Sequence, residues 1–257
     1  MFDSALQEGV SCAVDDRGVA VVTFAHPRSN SLPGAVLADL AETIRGLGDR
    51  ADVRVVVLGS AGDRAFCAGA SFDELVAISD EAEGLRFFMG FANVINAMRS
   101  IPQLVIGRVQ GKAVGGGVGV ASAVDYCLAT KHAAVKLSEL AVGIGPFVVG
   151  PAVERKLGVS AMSQLAIDAT EWRSAAWAEA HGLYASVHED ASALDAAVDA
   201  LAGRLAGSNP EAMAEMKRTF WRGTDDWDAL LAERAAISGR LVLSDFTREA
   251  IARFKSG

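Results

Sequence analysis

Through its first two thirds the chain alternates short runs of β-branched and aliphatic residues with segments of helical period. Val19–Phe24 (VAVVTF) predicts a strand, stopped by His26-Pro27. From Leu32 to Leu47 apolar residues recur at helical spacing, with Pro33 near the first turn. Val53–Leu58 (VRVVVL) reads as a buried strand closed by Gly59-Ser60-Ala61-Gly62. A helix over Glu81–Met98 carries Phe87, Phe88, Met89, Phe91 and Val94, and Leu104–Val109 is a further strand. A glycine-rich turn at 115–117 opens a helix of small residues. Short strands follow near Tyr126–Ala129 and Ala134–Leu137. The alternation predicts an α/β chain of repeated β-β-α units. No motif recurs at a fixed period, so any repeat is one of structure.

After about residue 195 the strand signal stops. Ala196–Ala206, Pro210–Trp221, Trp227–Gly239 and Asp245–Lys255 read as helices, with Asn209 and Asp245 as capping candidates. A helical tail of about 60 residues buries too little by itself to stand alone. It is expected to pack on the main body or on a neighbouring subunit. The chain therefore divides into a body, 1–195, and a helical region, 196–257, with no Pro/Ser/Gly linker between them.

Charge and composition narrow the class. Twenty-four basic against 32 acidic side chains leave a net charge of −8, which disfavours a phosphate backbone as partner, so no nucleic acid is expected. The most apolar long stretch, Val109–Val124, is broken by Lys112 and several glycines and does not span a membrane. The N-terminus lacks the basic start and apolar run of a signal peptide. Cys12, Cys67 and Cys127 have no metal-ligand or CxxC spacing, which fits free thiols in a reducing cytoplasm. The four histidines, His26, His132, His181 and His188, are scattered, so no metal is expected.

Two segments carry candidate chemistry: Ala65-Phe66-Cys67-Ala68-Gly69-Ala70-Ser71 and Gln110-Gly111-Lys112-Ala113-Val114-Gly115-Gly116-Gly117. Each reads as a strand leaving into a small-residue turn that opens a helix. Small side chains let a ligand approach the backbone, and the first N–H groups of a helix are unpaired donors at its positive end. Two such turns facing one oxygen make an oxyanion hole, where one donor is worth several kcal/mol, about 3 or more. A lone glycine triplet before a helix is usually only a tight turn or close helix–strand packing. The triplet matches neither a phosphate loop nor the GxGxxG dinucleotide pattern.

In this order, about 45 residues apart, the two segments resemble the signatures of the crotonase (enoyl-CoA hydratase/isomerase) superfamily, AFxAGAD and NGxAxGGGxEL. His26-Pro27-Arg28-Ser29-Asn30-Ser31-Leu32 is similar to that family's P-x-x-N-A-L turn, and the 137–146 stretch LSELAVGIGP to its P-E-x-x-x-G-x-x-P segment. The resemblance implies a crotonase-like spiral of β-β-α units, a C-terminal all-helical trimerisation region, and a homotrimer or a hexamer of two trimers. It implies an acyl-CoA thioester as substrate, with no cofactor beyond the coenzyme A that the substrate carries. The thioester carbonyl then lies between the N–H groups of Ala70 and Gly116, and the adenine near Arg28, Ser29, Ala68 and Ala70. Phe72, Gly115 and Gly119 fall within the same motifs. Arg28 offers charge to the phosphates or is a solvated surface arginine, and Lys255 has the same two readings. Phe147 and the run after it, with Phe88, Met89 and Phe91, are candidates to border the acyl group or are simply core.

The resemblance also exposes a departure. Hydratases of this family use two glutamates. The second aligns with Glu139, whose apolar neighbours favour burial and a raised pKa. The first aligns with Gly119, which has nothing to ionise, and Asp73, Glu74 and Asp125 are not placed to replace it. Asp125 matches a position that looks structural in the family, and Cys67 reads as a small buried filler. One carboxylate suffices to shift a double bond from Δ3 to Δ2, or to protonate the enolate left by decarboxylation. A hydratase working through Glu139 with a second base, and a CoA-ester binder without activity, also remain open.

Overall fold

The structure, a computed structural model, describes Phe2 and residues 6–256, with side chains through residue 253. Lys255 thus lies beyond the described side chains. Chain order begins β1 (Gly9–Val14), β2 (Val19–Ala25), α1 (Gly34–Gly48), β3 (Val55–Ser60), β4 (Ala65–Cys67), α2 (Phe72–Ala77) and α3 (Glu81–Ser100). It continues with β5 (Leu104–Val109), β6 (Lys112–Val114), α4 (Gly116–Ala123), β7 (Tyr126–Thr130), β8 (Val135–Lys136) and α5 (Gly150–Ile167). The remainder is α6 (Ala175–Ala180), β9 (Ser186–His188), α7 (Ala191–Ala206), α8 (Pro210–Phe220), α9 (Trp227–Leu241) and α10 (Asp245–Ser256).

Among the described residues the strands form two sheets, ordered β1-β2-β3-β5-β7-β9 and β4-β6-β8. β1 runs antiparallel to β2, and every other pairing of named strands is parallel. Each unit gives one strand to the large sheet, the next to the small sheet, then a helix: β3-β4-α2/α3, β5-β6-α4, β7-β8-α5. Successive units advance one place in both sheets together, which makes the chain a spiral of β-β-α turns. The exits from β4 and β6 are thereby stacked side by side.

The alternation of side chains along a strand explains why β3 and β5 are apolar throughout. Val55, Val57 and Ile106 face Leu194, Val198 and Ala202 of α7, while Val56, Leu58 and Val105 face the main core. The tail joins that core: Trp227, Leu231, Ala235, Val242 and Ile251 are buried in it. α9 lies against α3 at a contact between glycines, where a Cβ on Gly84 would stand 2.7 Å from Gly239 Cα. Among the described residues no helix is long and apolar enough to cross a membrane. Cys67 and Cys127 are buried free thiols and Cys12 is exposed.

Several expectations need correction. β1, α5, α6 and β9 carry no clear signal in the sequence, and α7 begins at Ala191 rather than Ala196, with Asp190 accepting from Ala193 N at 2.8 Å. Asn209 caps α8 by accepting from Glu211 N at 3.0 Å. Asp245 does not cap α10: it is the first residue inside the helix, and the preceding Ser244 hydroxyl accepts from Thr247 N at 3.3 Å.

Candidate active site

The two glycine-bearing turns meet. At the exit from β4, Gly69 has φ +88°, and Ser71 caps α2 by accepting from Glu74 N. Leu32 bridges this turn as a short parallel strand: Leu32 N donates to Gly69 O (2.8 Å) and Ser71 N to Leu32 O (3.4 Å). Because the carbonyl of 69 and the amide of 71 point to Leu32, the amide of the intervening Ala70 points to the other side. That side holds the exit from β6. There Gly115 takes φ +53°, its N–H donates to Lys136 O (2.8 Å), and Gly116 begins α4. The Gly116 N–H is one of the unpaired first donors of that helix. A Cβ on Gly69 would lie 3.6 Å from Gly116 N and 2.9 Å from Val114 O, so the two turns are in contact.

Both turns border a narrow cavity of about 60 Å³. Ala68, Gly69, Ala70, Phe72, Gly115, Gly116 and Phe147 lie on its wall, as do Phe88 and Phe91 but not Met89. Most of the lining is apolar. Its polar side chains are Ser138, Glu139 and Ser238, so Glu139 is the one titratable group among the described residues of the wall. Glu139 lies in helical geometry ahead of a 3₁₀ turn, Leu140–Val142, and its carbonyl accepts from Val142 N (3.2 Å) and Ile144 N (3.0 Å). The carboxyl reaches back to the glycine turn, with Oε1 3.1 Å from where a Cβ on Gly115 would be. Oε2 is shut off from solvent and has no hydrogen-bond partner among the described residues. Burial therefore pushes the carboxyl up to about 7, against a small opposing effect from its own main chain.

Gly119 does not border this cavity, contrary to expectation. It is buried in α4, and a Cβ there would lie 2.5 Å from Val149 Cβ. The space a longer side chain would need is filled by Val149. Arg28 and Ser29 also stand off the wall, at its edge. Arg28 is exposed and ion-paired with Asp73, next to the wall residue Phe72. Ser29, at φ +52°, accepts from the N–H of Ala68 at 3.1 Å. Asp73 and Glu74 are likewise off the wall, and the Glu74 carboxylate accepts from Gly34 N at 2.8 Å. Cys67 is a filler: burial pushes its thiol up to about 12, and it packs beneath Gly117. The sequence reading missed Ser238, which enters from α9 and has no local motif.

Gly117 makes that packing testable. A Cβ at this position would lie 2.6 Å from Cys67 Cβ and 2.8 Å from Cys67 O. Gly117→Ala must push α4 off β4, and is expected to cost about 1–3 kcal/mol in a denaturant melt. A neutral result would show that the two turns are not tightly packed.

Residues 15–254 match the family model described as enoyl-CoA hydratase/isomerase. Over 239 residues the chain is 28% identical to the short-chain-enoyl-CoA hydratase of Clostridium acetobutylicum, covering 92% of this chain and 90% of that one. It is also 28% identical over 138 residues to the ethylmalonyl-CoA decarboxylase of Xenopus laevis. That match covers 53% of this chain, and the chain spans only 46% of that relative's length. A crystal structure of an enoyl-CoA hydratase from Mycobacterium avium subsp. paratuberculosis superposes with TM-score 0.84 at 28% identity, covering 98% of this chain and 97% of that one.

Proposed function

The chain belongs to the enoyl-CoA hydratase/isomerase family, and on that premise we propose that it isomerises a 3-enoyl-CoA to the 2-enoyl-CoA with Glu139 as sole acid and base. The observation that carries this reading is the single carboxyl on the cavity wall, together with Val149 in the space beside Gly119. Adding water calls for a group to activate the water and another to protonate Cα. Moving a double bond calls for one group, which takes a proton from Cα and returns it to Cγ. The N–H groups of Ala70 and Gly116 hold the thioester oxygen as negative charge develops on it. The carboxylate at Glu139 accepts the Cα proton, the double bond shifts as the enolate collapses, and the same carboxyl protonates Cγ. No net proton is exchanged. A carboxyl with a pKa of about 7 suits both halves of the cycle near neutrality.

Arg28, Ser29 and Ala68 take the nucleotide end of coenzyme A in this reading. Phe72, Phe147, Phe88 and Phe91 enclose the acyl end. The tail, 196–257, completes the protomer of a homotrimer or hexamer, and the protein works in the cytoplasm.

A second reading is favoured by the likeness to ethylmalonyl-CoA decarboxylase. An apolar wall strips water from a malonyl-type carboxylate, and the enolate left after CO₂ departs is protonated at Cα by Glu139. Steady-state assays with a 3-enoyl-CoA, crotonyl-CoA and ethylmalonyl-CoA separate the possibilities. Turnover of the 3-enoyl ester above the other two is the expected result. Silence on that ester rejects the isomerase reading, and binding without turnover of any ester leaves a CoA-ester binder.

The pH profile is a further check. The working form of the free enzyme is the carboxylate, so kcat/KM should rise with pH through about 7 and then level off. A profile flat between pH 5 and 9 would remove Glu139 from the proton transfer.

A further inference from the structure

His26 follows the end of β2, and one atom of its ring closes the turn that comes next. Nδ1 accepts from the Arg28 N–H at 3.3 Å and lies 2.8 Å from Ser31 Oγ. A main-chain N–H can only donate, so Nδ1 carries no proton and the Ser31 hydroxyl donates to it as well. Between these two donors stand Ser29 (φ +52°) and Asn30 (φ +56°), the only non-glycine residues with positive φ among the described residues. A side chain in that region is strained, and the conformation persists only where its surroundings impose it. Asn30 has its own side chain for this: it accepts from His26 N at 3.1 Å and donates to Ala61 O and Ala65 O at 2.9 Å. The Ser29 side chain makes no hydrogen bond among the described residues, and what closes the turn around it is His26 Nδ1.

The main chain of this turn holds the exit from β4. Ser29 O accepts from Ala68 N at 3.1 Å, and Leu32 takes up Gly69 O (2.8 Å) and Ser71 N (3.4 Å). Gly69 N is spent on Cys67 Sγ at 3.4 Å. Of the N–H groups from 68 to 71, that of Ala70 alone has no partner among the described residues. The groups on either side of Ala70 are thus fixed by the 29–32 segment. Because peptide units are planar, the direction of the Ala70 N–H follows from where that segment sits. Displacing such a donor by about 1 Å costs on the order of 10²-fold in rate. The loss falls on the transition state more than on the bound ester, since negative charge develops on the oxygen only there.

Resting on the reading of Ala70 as a donor to the thioester oxygen, we propose that His26 is a positioning residue. Its Nδ1 clamps the Ser29–Asn30 turn, and through Ser29 and Leu32 that turn aims the Ala70 N–H into the cavity.

The experiment uses the full chain with His26→Phe, which keeps a ring but removes the acceptor, and His26→Asn, whose Oδ1 stands near the place of Nδ1. Ser31→Ala removes one of the two donors. Each is assayed for kcat on a 3-enoyl-CoA. In a Glu139→Gln background, calorimetry gives Kd for crotonyl-CoA and infrared difference spectroscopy gives the stretching frequency of its bound thioester carbonyl. The full chain should lower that frequency relative to the free ester. His26→Phe should reverse part of the lowering and reduce kcat by about 10–100-fold with Kd little changed, and His26→Asn should restore both. Ser31→Ala should move both in the same direction by less, and it decides alone if His26→Phe does not fold. A variant set with lower Tm but the full chain's carbonyl frequency overturns the proposal, as does failure of His26→Asn to rescue. A frequency lowered in the full chain, lost in His26→Phe and regained in His26→Asn, in an enzyme that isomerises no 3-enoyl ester, keeps the positioning and rejects the isomerase. A bound carbonyl with the free ester's frequency in the full chain rejects both.

Discussion

Glu139→Gln is expected to lower kcat on a 3-enoyl-CoA by on the order of 10³–10⁴-fold while changing the Kd for a CoA ester only slightly. The amide fills the same space on the cavity wall but neither takes nor returns the proton, and no other titratable side chain lines that wall among the described residues. The main-chain donors of Ala70 and Gly116 are untouched, so binding persists. The same variant should be more stable than the parent, in a pH-dependent way. The folded carboxyl has a pKa of about 7, above its ordinary 4.5, so the interior prefers the neutral acid. Below pH 4.5 this preference costs nothing. Between 4.5 and 7 the folded state loses stability as pH rises, reaching about 3 kcal/mol above 7. The glutamine stays neutral, so its Tm advantage should be larger at pH 8 than at pH 5. A variant that kept its rate would take Glu139 out of the mechanism. One that lost its rate with no pH-dependent Tm gain would place the lost function elsewhere than in a desolvated carboxyl.

That a carboxyl on the cavity wall also destabilises the fold bears on how much the sequence discloses. β2, β3 and β5 were readable because both faces of the large sheet are covered, so their apolar runs are continuous. β1 was not: it is an edge strand whose residues are half-buried or exposed, and Gly9-Val10-Ser11-Cys12 lacks alternation. α5 was lost for a different reason. Gly158, at φ +75° and ψ +161°, breaks its helical geometry midway, and Pro151 stands at its start. The two glycine-bearing turns are local devices, made by glycines and the helices that follow them, so they are legible in one dimension. Glu139 was reached through the resemblance, and its burial through its apolar neighbours. Val149 beside Gly119 and Ser238 on the cavity wall depend on how separate elements cross. No neighbouring residue in the chain encodes either contact.

Asp125 shows the same division between local and long-range information in energetic form. Its carboxylate lies at the start of β7 and is nearly excluded from solvent. One oxygen accepts from Val105 N at 2.8 Å and meets Lys217 Nζ at 3.1 Å, and the other accepts from Trp221 Nε1 at 2.7 Å. Lys217 also donates to Gln103 O at 2.7 Å, and Lys156 donates to the Asp125 main-chain carbonyl at 3.0 Å. Two remote parts of the chain, β5 and the α8 region of the tail, thus converge on one side chain. Asp125→Ala would leave the Lys217 ammonium buried without its counter-charge and orphan two N–H donors. The expected cost is about 3–5 kcal/mol in denaturant unfolding. Lys217→Met alone should also be costly, since Asp125 then keeps two N–H donors but no cation. The double variant Asp125→Asn/Lys217→Met removes both charges and retains an acceptor for one of the two N–H donors, so it should cost less than the sum of Asp125→Asn and Lys217→Met. Strict additivity would mean that the pair does not act as a unit. A small effect of Asp125→Ala would mean that the tail is held by its apolar contacts with α3 alone.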